Sequence, residues 1–298
     1  MMVKYDNIIK VRYMSWKDKS KILISPLRRI LPEHNSIFRD TTSYKNVMAL
    51  HGKGDYKKAY DVLSIAITRG SRFSKVADIY ILFAELELLA NEDPHKALEA
   101  LDKAQEMGCT QIAYYYLRHA EALWRIGEIQ TALQCFEKSV EAEPCAFYRS
   151  NLAQALAYLD DERARSVWQE VLEEEPENSQ AHSYFAFEAA KSGDRDNAIV
   201  MAKKADKLAS SKEDSLDVAA LYHELGEFQT AIKKYLEVVK FMKLNRQRGW
   251  VYARIAGCYL SMGQTNLARN YLKRALKYCP DDEDVKEIQR EFEEKSAK

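Results

Sequence analysis

Residues 250–280 read WVYARIAGCYLSMGQTNLARNYLKRALKYCP, two helical runs that meet at Gly263. A glycine there ends the first run, because it takes a backbone conformation that a residue with a Cβ resists. Five residues on, Ala268 lets the second run approach the first closely. A larger side chain at that point would overpack, at a cost of roughly 1–3 kcal/mol. Leu272 lies one turn further along the same face and fills the space between the runs. Pro280 stops the second run. The stretch predicts a pair of helices packed side by side.

The same plan recurs upstream. An alanine with a partner four residues later occurs at Ala59/Leu63, Ala97/Leu101, Ala132/Phe136, Ala164/Trp168, Ala198/Ala202, Ala231/Tyr235 and Ala268/Leu272. Successive alanines are 38, 35, 32, 34, 33 and 37 residues apart. A glycine stands five residues before the alanine at Gly54, Gly127, Gly193, Gly226 and Gly263, and Pro144 and Pro176 repeat the closing proline. Seven units in phase mark an internal repeat, in which each unit buries its apolar face on its neighbours. Two units depart from the plan. The second has Asn91-Glu92-Asp93-Pro94 in place of glycine, where Asp93 caps and Pro94 starts the following helix. The fourth shortens its turn to Asp160-Asp161, and the first and sixth are elongated in their helices or connecting loop.

These units resemble the tetratricopeptide repeat, whose period is about 34 residues. The seventh carries the resemblance most fully, with Tyr252, Ile255, Ala256, Tyr259, Gly263, Ala268, Leu272, Ala275 and Pro280. The resemblance implies an all-α fold, an α-solenoid coiled as a right-handed superhelix. It assigns repeats to 40–76, 77–112, 113–145, 146–178, 179–211, 212–248 and 249–282. Residues 1–39 precede them as a basic arm, and 283–298 follow as a capping helix and tail. In the cap, Asp281, Asp282, Glu283 and Asp284 sit at the positive helix end, and Val285, Ile288 and Phe292 share one face.

In the family, given positions of the first helices line an inner groove that binds peptides. Carried over, they give Tyr114, Arg118, Trp124, Arg125, Asn151, Gln154, Tyr158, Tyr184 and Phe187. Rings, arginines and side-chain amides are the composition of a recognition patch. Asn151 and Gln154 suit the backbone of an extended peptide, and Arg118 with Arg125 suits a carboxylate. The competing reading pairs the arginines internally, with Glu121 or Glu128. The Lys and Asn pattern of chaperone-tail binders is not reproduced: Tyr44, Met48, Leu117 and Glu121 occupy those places. The segment Ala164-Arg165 to Trp168 and Pro176 is also similar to the half-a-TPR repeats of RNA-processing scaffolds, which supplies an alternative function.

Composition narrows the partner. Lys+Arg and Asp+Glu are equal at 45 each, so there is no electrostatic reason to expect nucleic acid or an anionic membrane. Charge is uneven at the ends: net +5 over residues 1–40 and −4 from Asp281 onward. In the arm, Trp16, Ile22, Leu23, Ile24, Leu27, Ile30 and Leu31 are mixed with Lys17, Lys19, Lys21, Arg28 and Arg29. Such a segment folds over the first repeat as a cap, or docks on an acidic partner or, weakly, on a membrane surface. Five cysteines without close pairs argue against a disulfide framework or zinc site, and no apolar run approaches the ~18 residues of a membrane span.

No catalytic constellation stands out. Gly52-Lys53-Gly54 lacks the Lys-Ser/Thr of a phosphate loop, and no two of the six histidines are four apart on a helix. The expectation is a soluble, cytoplasmic, non-enzymatic scaffold for a protein or peptide partner, with no cofactor, metal or small-molecule substrate.

Overall fold

A computed structural model describes residues 42–70, 72–242 and 245–296, which form fifteen helices and no strand. In chain order these are α1 Thr42–Gly52, α2 Tyr56–Thr68, α3 Ala77–Leu86, α4 Pro94–Glu106, α5 Ile112–Ile126, α6 Ile129–Ala142, α7 Ala146–Tyr158 and α8 Arg163–Glu174. They continue with α9 Ser179–Lys191, α10 Arg195–Leu208, α11 Lys212–Glu224, α12 Phe228–Val239, α13 Asn245–Ser261, α14 Thr265–Tyr278 and α15 Glu283–Ser296. The first fourteen pack as consecutive pairs, α1 on α2 through α13 on α14, the construction of an α-solenoid. The described chain divides into two compact units, residues 42–174 and residues 175–296. Expectations for the arm, residues 1–39, fall outside the described residues.

The repeat alanines do what their spacing predicts. Ala59, Ala97, Ala132, Ala164, Ala198, Ala231 and Ala268 are all fully buried where paired helices cross. The five repeat glycines all adopt positive φ; Gly127, at φ 94°, closes α5 so that the chain can turn into α6. In the fourth repeat Asp160 takes that conformation instead, at φ 52°. Asp161 then accepts the Arg163 amide at 2.9 Å as α8 begins. In the second repeat Asp93 caps α4 by accepting the Lys96 amide at 3.1 Å, with Pro94 as the first helical residue. A π-helical turn, Glu87–Asn91, prolongs α3.

The first repeat owes its extra length to its connection, which holds a 3-10 turn at Arg72–Lys75. Beyond the sixth, α13 begins at Asn245 and runs 17 residues, so its first turn lies ahead of residue 249. At Gly249 a Cβ would stand 2.6 Å from Cys279 Sγ, so glycine permits the close approach of α13 to the end of α14.

The first unit has a core of Val47, Ala59, Leu63, Ile79, Leu82 and Leu86. In the second, Ala253, Ala256, Leu272, Ala275 and Cys279 pack with Val285 of α15, and Ile288 and Phe292 close over them. The capping role expected of α15 is therefore observed. All five cysteines are free thiols.

Candidate peptide-binding face

Helix α5 carries four of the residues assigned to the groove, and their surroundings are internal. Arg118 is 2% exposed. Its Nη1 donates to Glu121 Oε2 at 2.5 Å, its Nη2 lies 3.9 Å from Glu85 Oε1, and its guanidinium stacks over the Tyr114 ring at 4.6 Å. The Tyr114 hydroxyl donates to Glu85 Oε2 at 2.6 Å, and His51 Nε2 approaches the other oxygen of Glu85 at 3.4 Å. Arg118 is thus held by the protein's own carboxylates, as in the competing reading, and does not present a clamp to an outside carboxylate. Arg125 is half-buried and donates through Nη1 to the Leu88 carbonyl at 2.5 Å. Trp124 is buried, edge-on to Phe136 and to Tyr158 of α7.

This layer holds two buried acids around one buried guanidinium. Burial alone would raise the Glu85 carboxyl, but Arg118, with His51 and Tyr114, outweighs it and keeps Glu85 below the usual carboxylate range. Burial pushes Glu121 the other way, and the charge of Glu85 adds to that rise. Glu121 Oε1 accepts no hydrogen bond.

On α7, Asn151 is buried and donates its Nδ2 to the Phe147 carbonyl one turn back, at 2.7 Å. Gln154 is buried, and Tyr158 is half-buried against Trp124. Tyr184 and Phe187 belong to α9 in the second unit; Tyr184 is buried and Phe187 half-buried. Tyr114, Trp124, Arg125, Gln154, Tyr184 and Phe187 all have interaction partners. The first unit therefore brings Tyr114 to Arg118 and Trp124 to Tyr158. Its central charge, Glu85, and its His51 were missed by the sequence reading. The available signal was an acid inside the otherwise apolar run Ile81-Leu82-Phe83-Ala84-Glu85-Leu86.

A second polar cluster lies in the second unit. The Arg254 guanidinium stands 5.0 Å over the Trp250 ring, and the buried Tyr235 is edge-on to that ring at 6.4 Å. Burial, opposed by Arg254, pushes Glu224 up to about 7. Burial and Arg254 together lower His223 to about 4. The Tyr235 hydroxyl and Trp250 Nε1 make no hydrogen bond.

The tetratricopeptide repeat profile matches residues 113–144 and 251–282, the α5–α6 and α13–α14 pairs. Solved structures with the same architecture include the anaphase-promoting complex tetramer Cut9–Hcn1. It has a TM-score of 0.63 and 17% identity, over 89% of this chain and 50% of that one. A tetratricopeptide repeat protein of Parabacteroides merdae gives 0.60 and 15%, over 84% and 97%. Yeast Tom70 gives 0.59 and 15%, over 95% and 69%. The helix pairs define an α-solenoid with the fold of tetratricopeptide-repeat proteins, and two of the pairs match that repeat's profile.

By sequence the chain is similar to outer dynein arm-docking complex subunit 4. The Xenopus laevis protein is 31% identical over 80 residues, 26% of this chain and 15% of that protein. The Danio rerio protein is 30% identical over 113 residues, 35% and 23%. The match thus spans less than a quarter of either relative. Among the described residues, no helix is long and apolar enough to cross a membrane.

Proposed function

We propose that the chain is a non-catalytic scaffold that holds an extended or helical segment of a partner protein on the inner face of its first helices, within a multi-subunit assembly. The observation behind this reading is the aromatic and amide content of that face, with Trp124, Tyr158 and Gln154 gathered on α5 and α7. Aromatic rings supply large contact area at little conformational cost, so they dominate the energetics of interfaces. The assembly role is supported by the relatives, which are subunits of a docking complex.

Because Arg118 is internal, the face is better probed at its half-buried rings. Tyr158→Ala and Phe187→Ala should each weaken capture of the partner, first identified by affinity capture from native extract, by about tenfold or more. Helicity should stay near wild type. Capture unchanged in both variants would overturn the reading, and salt-sensitive RNA binding in its place would favour the RNA-processing alternative.

A further inference from the structure

From Val238 to Pro280 the chain carries nine Lys/Arg and no Asp or Glu, although it holds 45 acids in 298 residues and its total charge is zero. This acid-free stretch includes both helices of the last repeat, α13 and α14. Each of the other second helices holds at least one acid. Several of their cations find partners: Lys57 with Asp61, Arg163 with Glu137, Arg195 with Glu227 and Lys234 with Asp206. On α14 the cations gather on one face instead. Arg269, Lys273 and Lys277 stand on successive turns with Arg274 beside them, and all four are exposed. None of the four forms an ion pair among the described residues, and on the neighbouring α15 Glu283 is taken by Lys286 and Arg290 of its own helix. Like charges one turn apart repel. The helix dipole favours Lys277, in the last turn, but gives no support to Arg269 in the first half. The stripe therefore calls for an external counter-charge.

A row of half-buried tyrosines borders it. Tyr259 stacks on Tyr271 with ring centres 5.5 Å apart, Tyr271 meets Tyr252 at 6.1 Å, and Tyr252 stacks on Tyr278 at 6.0 Å. The Arg274 guanidinium lies 5.2 Å from the Tyr271 ring and 5.8 Å from the Tyr252 ring, which fixes it where stripe and row meet. The ring faces are thus turned on one another and on Arg274. The four hydroxyls make no hydrogen bond among the described residues.

We infer that α14 docks an acidic segment of a partner protein, on the outer layer of the array and apart from the inner face. Its carboxylates, spaced one turn apart, form charge-assisted hydrogen bonds with the stripe, and Arg269 and Arg274 can take them in pairs. Tyrosine and arginine are the residue types that anchor interfaces. The occupant is narrow. Beside the stripe, α15 exposes Glu287, Glu291 and Glu294, and Arg269 lies 5.5 Å from the ring of Phe292 on that helix. A membrane surface or a nucleic-acid duplex is wider than one helix, so its phosphates would meet those acids as well as the cations. Single-stranded nucleic acid is held by bases stacked on free ring faces, and these faces are already engaged. A polypeptide strand or helix covers the stripe alone. The inference does not rest on the proposed role of the inner face.

A fluorescence titration of the full chain tests it, with a labelled peptide of repeating Glu-Glu-Leu as the probe. Binding should weaken by about tenfold or more when Arg269→Gln, Lys273→Gln, Arg274→Gln and Lys277→Gln are combined. A control that combines Lys203→Gln, Lys204→Gln, Lys207→Gln and Lys233→Gln removes the same charge from α10 and α12 and should bind as wild type does. Equal loss in both variants would mean that net charge alone attracts the peptide, and would overturn the inference, as would no loss in either. A single reversal separates binding from folding. Lys273→Glu turns two repulsive one-turn pairs into attractive ones, so the melting temperature should hold or rise while the peptide binds about threefold more weakly. A lower melting temperature with unchanged binding would make the stripe structural and count against docking. Vesicles of equal parts phosphatidylcholine and phosphatidylserine, and a single-stranded RNA, are titrated at the same salt. Tighter binding of either than of the peptide would assign the stripe to that partner and overturn the inference.

Discussion

Arg118 shows how much a residue's meaning depends on what surrounds it. In the sequence it is a cation on the wall of a groove; in the fold it neutralises Glu121 and Glu85 where water does not reach. Removing one partner of a buried ionic group strands the others. Arg118→Ala should therefore lower unfolding stability by about 3–5 kcal/mol in a urea titration, a large share of a typical domain's total. A loss within the range of surface pairs, below about 1 kcal/mol, would mean the network is solvated. Charge reversal at this position would unfold the unit before it reported on binding.

Glu224 offers a second residue-scale test. Its carboxyl is raised to about 7 in the folded chain, so its contribution is fully present below the ordinary carboxylate range and is lost as pH rises through 7. His223, lowered to about 4, acts in the opposite sense below about pH 6.5, where the unfolded imidazole takes a proton. The Glu224 effect is thus clearest between about pH 6.5 and 8. Glu224→Gln should flatten the decline in melting temperature across that window; an unaltered slope would exclude Glu224 as its source.

At the scale of elements, helix boundaries follow local chemistry. Asp93 and Pro94 start α4 as their types dictate, and Gly127 ends α5 in a conformation that other residues resist. A Cβ at Gly127 would meet nothing within 4 Å, so the cost of substitution there is conformational alone. Gly127→Ala should cost about 1–2 kcal/mol, read as a shift in denaturation midpoint at constant slope. A neutral result would mean the turn relaxes out of positive φ. The capping box at α11, where Ser211 and Asp214 exchange bonds at 3.0 and 3.1 Å, was equally present in the sequence and went unread.

Across the whole molecule, each of the two units has its own core, and the last repeat is closed by α15. A repeat array is stabilised by nearest-neighbour contacts, so its ends and its inner face are where members of the family differ.

The sequence by itself determined the all-α repeat, the alanine crossings, most helix ends and the capping helix. Each of these rests on contacts between residues close in the chain or on the conformational limits of one residue type. Only the tertiary structure decided that the groove arginine is an internal counter-ion and that Glu85 and His51 complete its network. Those facts depend on burial and on pairings such as Glu85 with Tyr114, 29 residues apart, which no local pattern encodes.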